Sequence, residues 1–224
     1  MAKSKILIQL VNNEITLDVA LKRLMLICSD LNYDEIYNWA EKELDGYNKD
    51  DNVPEYRNMG LGRIVYSGLC GNSHNYIKYT NTPLPIHWLP HEYQKIVLSN
   101  FERSSILSII EKSKSNHHFS RDLTDFAAFI KVNIQFTSII QQIDSFSFGE
   151  IVNKISSILF KIFKKLDAEY GNLDSLDIDT ANKERSEIIN IEKVLLSYVG
   201  ELKYIQIGDN NEIKDSNIGE GNEN

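Results

Sequence analysis

The stretch "WAEKELDGYNKDDNVPEYR", residues 39–57, decides how the front of this chain folds, because it joins a helix to a turn-rich segment. Trp39 and Glu43 are four residues apart, which places both side chains on one face of a helix. Tyr47 follows one turn later, just beyond Gly46. We expect Gly46 to end the helix in a left-handed conformation.

The second half of the stretch returns to the same helix face. Pro54 holds "VPEYR" extended, so Arg57 can fold back, pair with Glu43 and stack on Trp39 or Tyr56. We interpret the stretch as a structural joint. A ligand pocket and a partner-binding surface are the alternatives that the sequence leaves open.

Three helices are predicted around this joint. The first covers about residues 3–12. The second is "LDVALKRLMLICSDL", residues 17–31, where apolar residues recur at helical spacing after Thr16 as N-cap. The third begins at Asn32 or Asp34 and runs to Gly46. Together they predict an antiparallel three-helix bundle.

The middle of the chain has a different character. Glycines, tyrosines and β-branched residues surround "RIVYSG", residues 63–68, and "NYIKY", residues 75–79, which predicts a β-hairpin or small sheet. A helix is then expected from Pro90 through "PHEYQKIVLSNFERSSILSIIEKSK", residues 90–114.

Three further helices are predicted in the C-terminal half: residues 123–143, with a strand-prone middle, residues 148–171 ending at Gly171, and residues 181–200 ending at Gly200. The second of these carries an apolar stripe that could extend beyond the core of one chain. Its members are Ile151, Ile155, Ile158, Leu159, Ile162 and Leu166.

These elements predict a mainly α, α+β fold in three regions. Residues 1–67 form a helical domain, residues 68–204 a mostly helical region with short strands near 62–80, and residues 205–224 an acidic Asn- and Gly-rich tail. The tail has too little apolar surface to fold alone, so we expect it to be disordered or to donate "YIQI" as a strand to another chain.

Composition limits the classes of partner. The net charge of the 224-residue chain is −8, which does not indicate nucleic acid, although "FKIFKKLDAEY" leaves open either a local basic face or a solvated helix face. The two cysteines, Cys28 and Cys70, lack redox or metal spacing, and Cys28 is expected to be a buried thiol. With no signal peptide or membrane-length apolar run, we predict a cytoplasmic protein without membrane association.

No catalytic residue, metal site or cofactor is predicted. Asp45, Asp50 and Asp51 beside Glu43 form a local acidic loop rather than a nuclease-type metal site. The combination of His118, Arg121 and Asp122 is a weak acid/base candidate, and the adjacent His117 adds no metal geometry. The sequence contains no phosphate-binding loop, GxSxG elbow or HExxH motif.

Residues 14–67 resemble the AbiTii domain, a bacterial abortive-infection module with a recurring Trp-x-x-x-Glu-Leu-x-Gly-Tyr segment followed by Pro-x-Tyr-Arg. The resemblance implies a role in phage defence, as half of a two-gene system or as a stand-alone relative. It brings no known catalytic residues. The matching positions are Trp39, Glu43, Leu44, Gly46, Tyr47, Pro54, Tyr56 and Arg57.

Two functions therefore follow from the sequence. The first is a phage-defence protein that acts through a protein partner or by homo-oligomeric self-assembly. The alternative is a toxic effector enzyme of an abortive-infection system, most plausibly a nuclease.

Overall fold

The computed structural model describes residues 3–72, 74–175, 178 and 183–200, and within them helices surround a small sheet. The predicted α+β fold is confirmed. The helices are α1 (Lys5–Val11), α2 (Leu17–Leu31), α3 (Asp34–Asp45), α4 (His91–Leu98), α5 (Ile106–Ser113), α6 (Ser145–Tyr170) and α7 (Arg185–Val199). The strands are β1 (Arg63–Asn72), β2 (Asn75–Pro83), β3 (Phe119–Asp122) and β4 (Gln135–Ile143).

The three N-terminal helices form at the predicted positions. Thr16 precedes α2 in an extended conformation, and Asn32 ends α2 with φ 55° and ψ 43°, so that the chain turns directly into α3. Cys28 is buried on the inner face of α2, as expected. Burial and the nearby charge of Glu192 raise the pKa of this thiol, which keeps it protonated and inert.

One hydrophobic core joins these helices to α5, α6 and α7, and its buried members range from Ile6 to Val199. All six residues of the predicted apolar stripe on α6 are buried in this core. The stripe is therefore used inside the chain, and the expectation that it could extend beyond one chain was wrong. The domain boundary that the sequence placed at residue 67 falls within β1.

The sheet has the order β2-β1-β4-β3, with every neighbouring pair antiparallel. The predicted hairpin is β1 and β2, and its first strand also pairs with β4, which places Tyr66 opposite Ile139. A second core cluster covers the sheet. Its buried residues are Ile64, Tyr66, Leu84, Leu89, Val97, Leu123, Ile130 and Ile139.

Two predicted helices differ from the structure. Residues 123–143 form a 3₁₀ turn, Thr124–Phe129, and then strand β4 instead of a helix. The reason is that Ile139, Gln141 and Ile143 are buried with a period of two, between the partner strands β1 and β3. Strand β3 pairs with the end of β4, with Phe119 opposite Ile143.

The helix predicted over residues 90–114 is divided into α4 and α5. Residues 99–105 connect them, and we call this segment the α4–α5 connector. It bridges back toward the predicted joint, because Phe101 pairs with Asn58 and the Met59 amide donates to the Asn100 carbonyl at 2.9 Å. A continuous helix would have withheld these backbone groups.

The C-terminal helices end where glycine was predicted to end them. Gly171 follows α6 with φ 79°, and Gly200 follows α7 in the left-handed region. The predicted tail, residues 205–224, lies outside the described residues. None of the helices in the described part of the chain combines the length and apolarity needed to cross a membrane.

Candidate functional site

The residues that the sequence singled out meet in one cluster, the Glu43 network, which consists of Trp39, Glu43, Tyr47, Tyr56 and Arg57. Arg57 Nη2 lies 2.6 Å from Glu43 Oε2, and Arg57 Nε donates to Glu43 Oε1 at 3.2 Å. Both side chains are completely removed from solvent. The expected pair is present, with bidentate geometry.

Two tyrosines complete the surroundings of the carboxylate. The Tyr47 hydroxyl donates to Glu43 Oε1 at 2.8 Å, and the Tyr56 hydroxyl donates to the same oxygen at 2.6 Å. Trp39 Nε1 in turn donates to the Tyr56 hydroxyl at 2.8 Å. A carboxylate accepts about four hydrogen bonds in total. Three of these donors meet Glu43 at Oε1 and one at Oε2, and the side chain is removed from solvent, which favours a structural role for this carboxylate.

The other edge of the Arg57 guanidinium binds the α4–α5 connector. Arg57 Nη1 donates to the Glu102 carbonyl at 3.0 Å and to the Ser104 carbonyl at 2.8 Å. The Glu102 amide donates to the Arg57 carbonyl at 2.9 Å. The guanidinium carbon lies 4.7 Å from the centre of the Tyr47 ring. The Arg57 guanidinium was expected to stack on Trp39 or Tyr56. It stacks on Tyr47 instead, so that prediction was wrong.

The electrostatics of the network follow from burial and charge. Burial opposes the charged form of Arg57, but the hydrogen bonds and negative charge of Glu43 outweigh it and raise the pKa of Arg57. Burial and the Glu43 charge raise the pKa of Tyr56 far above its usual range. Tyr56 therefore remains a hydrogen-bond donor at any ordinary pH.

The glycine of the motif has a steric requirement. Gly46 ends α3 with φ 96° and ψ 169°, so its φ is positive as expected but its ψ is extended rather than left-handed helical. A Cβ at this position would lie 2.8 Å from the Arg103 carbonyl oxygen and 3.2 Å from the Ser105 amide nitrogen. Glycine thus permits the α4–α5 connector to pass directly against the end of α3.

The two remaining motif positions support the same region. Pro54 has φ −57° and ψ 143°, which is the predicted extended conformation, and it precedes a 3₁₀ turn, Glu55–Arg57. Leu44 is partly buried and packs against the helical core.

A second polar layer on the connector was not found from the sequence. Glu102 Oε1 accepts from the Ser104 amide at 2.8 Å, and Lys112 Nζ lies 3.1 Å from Glu102 Oε2. Burial opposes ionisation of Glu102, but the hydrogen bonds from Ser104 and Lys112 outweigh it and lower the pKa of this carboxyl. Lys112 is also 5.4 Å from the centre of the Phe148 ring. No local pattern links these residues in the sequence.

The acid/base candidate that included His118 is divided in the structure. His118 Nδ1 lies 2.6 Å from Asp144 Oδ1, and these side chains are 67% and 70% exposed. Asp122 instead accepts from the Thr124 amide and hydroxyl at 2.8 and 2.6 Å. The three residues therefore do not form one acid/base group.

The acidic loop is similarly committed to local contacts. Asp51 lies 2.9 Å from Lys42 Nζ and accepts from the Asn48 amide at 2.6 Å. Among the described residues, no three His, Cys, Asp or Glu side chains are placed to hold a metal ion.

An open surface lies between α1 and α6. We call it the α1–α6 groove, with an apolar floor of Ile8, Val11 and Phe160, which are 49%, 64% and 36% exposed. Its volume is about 310 Å³, and a second depression of about 570 Å³ continues it along α6. The groove combines exposed apolar surface with a basic rim formed by Lys3, Lys161 and Lys164.

The rim lysines are largely available to a ligand. Lys3 makes one partial pair, with Asp167 at 3.3 Å, and its side chain stays 63% exposed. Neither Lys161 nor Lys164 forms an ion pair within the part of the chain that the structure describes. Within the segment for which the sequence left open a basic or a solvated face, Lys165 pairs with Glu169, whereas Lys161 and Lys164 line the depressions beside the apolar floor.

The described chain is thus an α+β protein in which a sealed ion-pair network fixes the helices, and an apolar groove with a basic rim remains open. Residues 4–191 match the AbiTii family, so the chain belongs to that family. The family indicates a role in abortive infection, a form of defence against phage. No curated protein and no solved structure matches the chain.

Proposed function

We propose that this chain acts in phage defence by binding a partner protein through the α1–α6 groove. The observation that carries the proposal is the exposure of Ile8, Val11 and Phe160 together on one concave surface. The Glu43 network also supports the proposal, because its carboxylate accepts hydrogen bonds from Tyr47, Tyr56 and Arg57 and is sealed from solvent. In this account the family motif builds a rigid scaffold, and the groove performs the function.

The chemistry of the groove defines the partner. The apolar floor favours large aliphatic or aromatic side chains, and the rim lysines favour carboxylates. Complete burial of one such side chain contributes about 1.5–3 kcal/mol, and the floor residues still have roughly half of that to gain. The partner is therefore an acidic polypeptide segment that carries apolar side chains.

Phage challenge of cells that produce variant proteins tests this proposal. Val11→Ser and Phe160→Ser should each abolish or strongly reduce protection, since they make the floor polar without altering the buried core. Ile77→Ser is the matched control, because Ile77 is 61% exposed on the edge strand β2 and does not line the groove. It should leave protection unchanged.

The rim is tested in the same way. Lys161→Glu with Lys164→Glu should reduce protection, whereas Lys78→Glu on β2 should not. Protein abundance and melting temperature are measured for each variant, so that loss of folded protein is separated from loss of binding. Full protection by the groove variants, at normal abundance, would contradict the proposal.

A further inference from the structure

We infer that residues 201–224 of this chain bind the α1–α6 groove of the same molecule and must be displaced before a partner can bind. The inference concerns how partner access to the groove is regulated. Its functional consequence rests on the proposed function. The charge, the apolar content and the reach of the segment support its binding to the groove.

The segment and the groove carry opposite charges. Residues 201–224 contain six acidic residues and two lysines, a net charge of −4. The groove presents Lys161 and Lys164, which form no ion pair within the described residues, and the mostly exposed Lys3. Attraction between unpaired lysines and an acidic segment is strongest at low ionic strength and decreases with salt.

The segment also contains large aliphatic residues. Ile205, Ile207, Ile213 and Ile218 are distributed among the acidic and polar residues of the segment. The segment therefore has the chemistry that the groove favours, with large aliphatic side chains for the floor and carboxylates for the rim. Contact with Val11, the most exposed floor residue, would remove apolar surface from water on both sides.

The segment is long enough to reach the groove. The segment begins directly after Gly200, which ends α7, and α7 packs on α6, the helix that forms one wall of the groove. Twenty-four extended residues span roughly 80 Å. A folded region of about 200 residues has a radius of gyration near ~16 Å. The tether is long enough, and it gives the segment a millimolar-range effective concentration that a separate partner does not have.

The functional consequence is competition. A partner with the same chemistry binds only when its affinity or local concentration exceeds that of the tethered segment. Protection would then depend on the arrival of a partner, while the groove would be covered in uninfected cells.

Photo-crosslinking in the 224-residue protein tests the inference. A photoreactive phenylalanine analogue is placed at position 160, and the crosslinked peptides are identified by mass spectrometry. We expect the crosslinks to join position 160 to residues 201–224. The same analogue at position 77, on the exposed edge strand β2, is the control and should give no such product.

Charge variants then test the recognition. Lys161→Glu with Lys164→Glu should reduce the crosslink yield roughly tenfold, because two attractions become repulsions. Lys78→Glu should leave the yield unchanged. Asp209→Lys with Glu212→Lys, added to the rim variant, should restore much of the yield.

An equal mixture of isotope-labelled and unlabelled protein distinguishes one molecule from two. Binding within one molecule gives crosslinks that are wholly labelled or wholly unlabelled. Mixed crosslinks, or no crosslink to residues 201–224, would overturn the inference. If the crosslink fails while the groove variants still lose protection against phage, only this inference falls, and the proposed function stands.

Discussion

Arg57 Nη2 and Glu43 Oε2 lie 2.6 Å apart, with no solvent-accessible surface on either side chain. The same guanidinium donates to the carbonyls of Glu102 and Ser104. One ion pair therefore fixes three segments to each other: the end of α3, the 3₁₀ turn that follows Pro54, and the α4–α5 connector. Glu43 and Arg57 both belong to the stretch of residues 39–57 whose pattern resembles the AbiTii domain.

Removal of one partner of this pair should be strongly destabilising. Arg57→Met leaves the Glu43 carboxylate buried without its cation, and we expect a loss of about 3–5 kcal/mol in the free energy of unfolding. Urea denaturation measures this loss. Lys22→Met, which breaks the exposed Lys22–Asp18 pair, is the control and should cost at most about 1 kcal/mol.

The double variant Glu43→Leu with Arg57→Met extends this test. Since it leaves no unpaired buried charge, its destabilisation should be smaller than the sum of the two single losses. Simple additivity would show that the two charges do not interact as the geometry indicates.

Gly46→Ala should disrupt the contact between α3 and the connector. The new Cβ would lie 2.8 Å from a backbone oxygen, at a residue with φ 96°, so neither the neighbour nor the residue can adjust freely. We expect a loss of about 2–4 kcal/mol, measured by thermal or urea unfolding.

Gly149→Ala is the matched control for that prediction. Gly149 lies within α6, and a Cβ there would meet no heavy atom within 4 Å. Alanine should stabilise the helix by about 0.5–1 kcal/mol. Equal effects of the two alanines would refute the steric explanation of Gly46.

Glu192 on α7 should make stability depend on pH. Burial raises the pKa of its carboxyl above the ordinary value of 4.5, the hydrogen bond from the Glu35 backbone opposes the rise, and the charges of Glu35 and Asp34 add to it. The folded state therefore binds this proton more tightly than the unfolded state. Its contribution to stability is present at low pH and is lost as the pH rises from 4.5 through the folded-state pKa.

Glu192→Gln removes this loss. We expect the variant to melt at a higher temperature than the wild type at pH 7, and the difference to shrink toward pH 4. Glu187→Gln, on the exposed surface of the same helix, is the control and should show a much smaller difference. A lower melting temperature of Glu192→Gln at pH 7 would contradict this prediction. It would mean that the ionised Glu192 carboxylate stabilises the fold by accepting the hydrogen bond from the Glu35 backbone at the start of α3.

The sequence predicted most of the helices because their apolar residues recur at a helical period within one segment. Thr16 precedes α2, Asn32 ends it, and glycines end α6 and α7. These helix ends could therefore also be predicted from neighbouring residues in the sequence. Strand β4 was missed because its apolar residues could fit either period, and only pairing with β1 and β3 decides between them.

The same distinction applies to the sites. The Glu43–Arg57 pair could be predicted because only 14 residues and two turn signals separate the partners. The carbonyls that Arg57 also binds lie 45 and 47 residues away, in a segment whose helical periodicity suggested no break. The α1–α6 groove depends on two helices from opposite ends of the chain, so no local pattern indicates it.

Protection against phage by two variants, at matched amounts of folded protein, tests the central claim most directly. Glu43→Gln and Phe160→Ser are compared at a temperature where both are folded, and the efficiency of plating is measured. The account predicts that Glu43→Gln still protects, because its carboxylate has a structural role, and that Phe160→Ser does not. Loss of protection by folded Glu43→Gln with full protection by Phe160→Ser would contradict the account and favour a catalytic role.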